Sequence, residues 1–172
     1  MKKKVTMDQI DSVDQTLCPV ERAELVVGDR WSVLILRELF VGNRRFEEIQ
    51  AQTGATPQMV AARLKTLQAD WLVERRLYNE RPKRYEYHLT AKGEAFFPVM
   101  LALRAWGETW CKAPEEGRAV DYTHLSCGGP AGLGPNCETC SAPLRREELH
   151  AEMNPAHRAE REARWEAFKA AR

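Results

Sequence analysis

The side chains best suited to chemistry lie in one run, HLSCGGPAGLGPNCETC, from His124 to Cys140. Two residues separate His124 from Cys127, and two separate Cys137 from Cys140, so each pair can chelate one ion from a single turn. Nine residues lie between the pairs, several of them glycine, which lets the loop fold back on itself. One imidazole and three thiolates suit tetrahedral Zn²⁺. With all four positions filled by protein, that zinc would be structural rather than catalytic. A Cys137–Cys140 redox pair, or reduced cysteines scattered in a tail, are the other readings of the same residues. The run has no H-E-x-x-H and no Gly-rich loop ending in Lys-Ser/Thr, which excludes those metalloprotease and phosphate-loop signatures. His150 and His157 are more distant substitutes as ligands. Cys111 has no neighbour at ligand spacing and is expected in the core.

A second chemistry, recognition of a polyanion, is concentrated upstream, in residues 43–90. Thr56 is a good helix N-cap and Pro57 suits the first helical position. Val60, Leu64 and Leu67 recur at helical spacing, so one face is buried. This leaves Gln58, Met59, Ala62, Lys65 and Thr66 outward or on the flank, with Arg63 at the edge. A short helix with a packed back and a polar front is what a DNA groove reader needs. In such a reader Gln58 pairs with adenine, Arg63 reaches guanine or a phosphate, and Met59 touches a thymine methyl. Cations cluster here too. Between Arg44 and Arg84 there are nine Lys/Arg and five Asp/Glu, a local +4, whereas the stretch from Ala113 onward has eight against ten.

These groups need a scaffold. The chain has 172 residues, 44% of them apolar, and a net charge of +1, which suits one domain with an extension. No apolar run reaches the length of a membrane span, and MKKKVTMDQIDSVDQ has no apolar signal-peptide core, so the expected location is the cytoplasm. In that compartment five cysteines favour thiols or metal over disulfides.

Residues 1–17 read as a flexible N-terminus. A helix opens at Cys18-Pro19 and ends near Gly28, its Val20, Ala23, Leu25, Val26 and Val27 forming the apolar positions that pack on a neighbour. A second, from Trp31 to Val41, carries a broad apolar stripe. Phe46–Gln52, the Thr53-Gly54-Ala55 turn and the Thr56–Ala69 helix form a helix-turn-helix. Strands through Tyr78 and from Arg84 to Leu89, around a loop from Asn79 to Lys83, make a wing. Arg81, Lys83 and Arg84 at its tip can neutralise phosphates, together with Arg44 and Arg45. Ala91 to about Cys111 reads as one helix, with Phe96, Met100, Leu103, Trp106 and Trp110 on a stripe longer than a small winged domain needs, a surface for a second subunit. Residues 113–172 form an extension, with the candidate zinc knuckle at 124–140 and a terminal helix at 156–172. The fold class expected is mainly α with a small antiparallel hairpin.

The segments CPVERAELVVGDRWSVLILRELFVGNRRFEEIQ, TPQMVAARLKTLQADWLVERRLYNERPKRYEYHLTAKG and LRAWGETW, in that order over residues 18–110, resemble the HxlR-type winged helix-turn-helix regulators, relatives of the MarR group. The resemblance implies a homodimer on palindromic promoter DNA, the Thr56–Ala69 helix of each subunit in a major groove and the wing alongside. It implies dimerisation through the first and last helices of the domain. Some members sense electrophiles or oxidants through the cysteine at the Cys18 position. Pro19 puts Cys18 at a helix N-terminus, beside free backbone amides. Some longer members end in a similar H-x-x-C-G then C-x-x-C tail. The inducer is not legible. Two other readings are a zinc-stabilised winged module that binds protein rather than DNA, and a thiol oxidoreductase using Cys137 and Cys140, for which the expected βαβ framework is absent.

Overall fold

The computed structural model describes residues 16–171; the expected flexible stretch falls almost wholly outside the described residues. Helix α1 (Pro19–Val27) is followed by α2 (Arg30–Val41), α3 (Phe46–Thr53) and α4 (Pro57–Ala69). Asp29 caps α2 by accepting from the Trp31 and Ser32 amides, and Gly42 ends it in the left-handed region at φ 104°. Gly54 does the same for α3 at φ 69°, turning the chain tightly into α4. The Thr56 hydroxyl accepts from the Met59 amide at 3.3 Å, the cap expected from the sequence.

Ile35, Leu36 and Leu39 of α2, Ile49 of α3, and Val60, Leu64 and Leu67 of α4 form one buried core with Leu72 and Val73. Strands β1 (Val73–Glu80) and β2 (Lys83–Leu89) pair antiparallel as the wing. The result is a mainly helical winged helix-turn-helix.

The wing tip is tighter than expected. The strands run on to Glu80 and back from Lys83, leaving a two-residue turn. Asn79 and Glu80 pair with Arg84 and Lys83 across a register shift at Leu77/Asn79, and the Asn79 amide donates to the Pro82 carbonyl at 2.9 Å. The expected single helix from Ala91 is two, α5 (Ala91–Glu94) and α6 (Phe97–Trp110). Pro98 is the reason: it has no amide to give, and its ring would collide with the Glu94 carbonyl of a continuous helix. The break rotates the apolar stripe, so Phe97 and Leu101 are the buried residues of α6. Val99, Leu103, Trp106 and Trp110 stay exposed, Trp110 by 73%.

In α1 Val26 and Val27 pack on the core, while Val20 and Leu25 are exposed on one chain. Two further expectations change. Cys111 is exposed at the end of α6, where the helix has run past the core. The extension is more ordered than its glycines and prolines suggest. Strands β3 (Val120–His124) and β4 (Leu149–Met153) pair antiparallel, and α7 (Pro155–Ala170) follows, capped by Asn154. A second buried cluster joins Phe97 and Leu101 of α6 to Ala131, Cys137 and Leu144 of the extension. Arg146 donates to the Phe40 carbonyl at 3.0 Å and pairs with Glu94 at 3.2 Å, so the extension is docked on the helical domain.

Candidate DNA-reading face and candidate metal centre

The exposed side of α4 carries Gln58, Ala62, Lys65 and Thr66, and Thr56 is exposed at its start. The Gln58 amide has no intramolecular partner among the described residues, so its donor and acceptor are free for a base edge. Met59 is half-buried and packs on the core from the flank. Arg63 lies at the edge, its Nε 3.2 Å from Asp29, so it also ties α4 to the start of α2. The Thr66 hydroxyl donates to the Ala62 carbonyl at 3.2 Å.

Before α3 and in the wing, Arg44, Arg81, Lys83 and Arg84 are exposed and carry no ion pair among the described residues. Arg45 is engaged: its guanidinium lies 5.0 Å from the Tyr78 ring and 3.5 Å from Glu86. That contact splints the wing against the start of α3.

In the extension, His124, Cys127, Cys137 and Cys140 converge, with their ligand atoms all within 4.8 Å of one another. The Cys127 and Cys137 sulfurs are 3.7 Å apart. His124 Nδ1 is 3.5 Å from the Cys127 sulfur and 3.3 Å from that of Cys140. Bond lengths of about 2.3 Å to sulfur and 2.0–2.1 Å to nitrogen put tetrahedral ligands roughly 3.8 Å (S to S) and 3.6 Å (S to N) apart. The observed spacings therefore fit four ligands around one metal ion. His150 and His157, the more distant candidates, are not in the cluster.

Local geometry explains the convergence. His124 ends β3 and is only 2% exposed. Gly128, at φ 72°, turns the chain so that its amide donates back to the His124 carbonyl at 2.8 Å. Burial works against a thiolate at Cys137, but amide donors from Cys140 and Thr139 and the neighbouring thiols hold it down to about 6. The buried His124 Nε2 has no hydrogen-bond partner among the described residues, and Glu148 Oε2 stands 3.7 Å from it. A metal held on Nδ1 would leave the proton on Nε2, where a carboxylate is the usual recipient, and Glu148 would then support that ligand from outside. Sequence spacing does not show Glu148, because the β3–β4 pairing is what brings it to His124.

A further buried site also escapes the linear pattern. Glu38 of α2 is 0% exposed. Arg161 of α7 donates to it twice, at 3.0 and 2.6 Å, Arg37 pairs with it at 2.7 Å, and the Asn43 amide donates at 2.7 Å. Burial pushes the Glu38 carboxyl up, but these arginines outweigh burial and hold it below the usual glutamate range. Beside this cluster the Gln52 amide donates to the Arg161 carbonyl at 2.9 Å, and Arg164 donates to the Gln52 carbonyl at 3.2 Å.

Fold and face together define a winged helix-turn-helix protein with a docked thiol–imidazole extension. Comparison with known proteins is specific. Residues 26–115 match the profile described as HxlR-like helix-turn-helix. An uncharacterized HTH-type transcriptional regulator of Mycobacterium tuberculosis is 34% identical over 140 residues, which is 81% of this chain and 88% of that protein. The Bacillus subtilis HTH-type transcriptional regulator YodB is 38% identical over 99 residues, 56% of this chain and 88% of YodB. Among solved structures, PA1607, a candidate transcription factor, superposes with a TM-score of 0.62 at 34% identity, covering 81% of this chain and 97% of that one. The redox regulator HypR in its oxidized form gives 0.52 at 32% identity, covering 56% and 100%.

The chain belongs to the HxlR family of helix-turn-helix transcriptional regulators. It is a transcriptional regulator rather than an enzyme, and its helix-turn-helix implies DNA binding. Among the described residues no helix is long and apolar enough to cross a membrane.

Proposed function

We propose that this protein is a homodimeric regulator that reads a palindromic promoter operator in the cytoplasm, with a structural Zn²⁺ in each extension. Residues 18–112 read DNA and dimerise, and residues 113–172 form the metal-bearing extension. The observation that carries the reading is the exposed, unpartnered front of α4 beside a wing tip whose three cations are also unpartnered. Gln58 and Ala62 face the bases, flanked by Thr56, Met59 and Thr66. Arg44, Arg81, Lys83 and Arg84 hold phosphates, and Arg45 sets the wing angle. Arg63 contributes to either class of contact from its place beside Asp29.

The second subunit is supported by α6, where Val99, Leu103, Trp106 and Trp110 leave an apolar stripe exposed on one chain. Zinc is supported by the ligand set: three thiols and an imidazole at tetrahedral spacing favour it over hard cations. Cys18 is exposed ahead of Pro19, which leaves its thiol open to a chemical signal, and HypR, similar in fold and sequence, is a redox regulator. Selection of bound duplexes from a random pool tests the reading. It should return an inverted repeat with half-sites about one helical turn apart; a pool without enrichment overturns it.

A further inference from the structure

The extension and the DNA-reading helices are joined by one element, α7. At the metal end, His124 pairs with Leu149 across the β3–β4 ladder, and the Leu125 amide donates to the Glu148 carbonyl at 2.8 Å. Strand β4 runs straight into α7, whose Asn154 cap is pinned by its own amide to the Ala119 carbonyl at 3.0 Å. The helix has 16 residues, so at 1.5 Å per residue it reaches about 24 Å. Near its middle Arg161 grips the buried Glu38 of α2, and Gln52 of α3 holds the Arg161 carbonyl. At its far end Phe168 and Ala171 share a cleft of about 600 Å³ with Arg45, Pro57 at the start of α4, and Tyr78 and Arg84 of the wing.

We infer that Arg161 and Gln52 are positioning residues for DNA reading: through them a metal-loaded extension holds α3 and α4 in the geometry that reads the operator. The inference rests on the DNA and metal readings above. The dock of α7 on the helix-turn-helix is polar rather than apolar. No residue of the helix is buried, and its contacts with the helix-turn-helix rest heavily on the Arg161, Gln52 and Arg164 bonds. Those directional bonds need α7 held in place, and its start is set by β4, which is held by the ladder that ends at His124. Loss of the ion loosens β4 and releases α7. With α7 released, Glu38 loses its bidentate partner and α3 loses a wall. Coupling of this kind is reciprocal, so operator DNA tightens the metal by the same factor that the metal tightens DNA.

The test compares zinc-loaded and chelator-stripped full-length protein by fluorescence anisotropy on a selected inverted-repeat duplex, with hydrogen exchange of Pro155–Ala170 read in parallel. Stripping should weaken DNA binding about tenfold and raise exchange along α7. In Arg164→Ala, which loosens the same dock from a partly exposed position, loaded protein should bind DNA less tightly and stripping should matter less. Such non-additivity marks one shared element. A loaded protein that binds the duplex equally well, or better, after stripping overturns the inference alone. A loaded protein that binds no selected duplex overturns the DNA reading, and failure to retain zinc after desalting overturns the metal reading; either takes the inference with it.

Discussion

Replacing Arg161 by alanine leaves Glu38 inside the protein with its best partner gone. The carboxylate is fully buried, and the Arg161 side chain is itself only 12% exposed. Breaking such a pair from one side costs about 3–5 kcal/mol, because the remaining charge keeps its desolvation penalty. Arg37 and Asn43 still reach Glu38, at 2.7 Å each, so the lower end of the range applies. For a chain of this size about 3 kcal/mol corresponds to roughly 6–12 °C in melting temperature. Urea unfolding at neutral pH and fixed zinc measures it. The double variant Glu38→Leu with Arg161→Met removes both charges and should recover most of the loss.

Acid should erase the difference. The native pKa of Glu38 is lowered, so its contribution is complete above the ordinary glutamate range and fades as pH falls through the lowered native value. The gap between wild type and Arg161→Ala should therefore shrink on acidification. A single-variant loss under about 1 kcal/mol, or a double variant no better than the single, refutes the reasoning.

Other outcomes follow from the same geometry. Cys137→Ala should abolish binding of one zinc per chain and leave the remaining tail thiols open to a thiol reagent without chelation, since the set is left with three ligands. Arg84→Ala should weaken binding evenly across DNA sequences and lower the slope of log affinity against log salt by about one unit, measured by anisotropy over a salt series. Trp106→Glu, in a side chain 58% exposed on one chain, should shift the protein from dimer to monomer in sedimentation without unfolding it, because a desolvated charge at a subunit interface is costly.

Much of the helix-turn-helix is legible in the linear pattern because its determinants are local. Thr56, Pro57 and Gly54 mark one turn and one helix start, and the Val60, Leu64, Leu67 spacing marks the buried face. The ligand quartet is legible for the same reason, since each pair is close in sequence. Contacts that depend on distant partners are not. Glu38 looks like an ordinary helical carboxylate until α7, more than a hundred residues on, brings Arg161 against it. Glu148 and Gln52 acquire their roles only through the β3–β4 ladder and the docking of α7. The rotation of the α6 stripe lies between these cases. Pro98 was visible, but whether a helix bends or breaks at proline is decided by packing, here that of Phe97 and Leu101 on the extension.

The most direct measurement of base reading by the α4 face is the affinity ratio between a selected operator and a scrambled duplex, for wild type and Gln58→Ala. Loss of a bidentate contact should remove about 1–3 kcal/mol of discrimination at one adenine-bearing position while leaving scrambled DNA bound as before. Equal loss on both duplexes, or none on either, would contradict the placement of α4 against the bases.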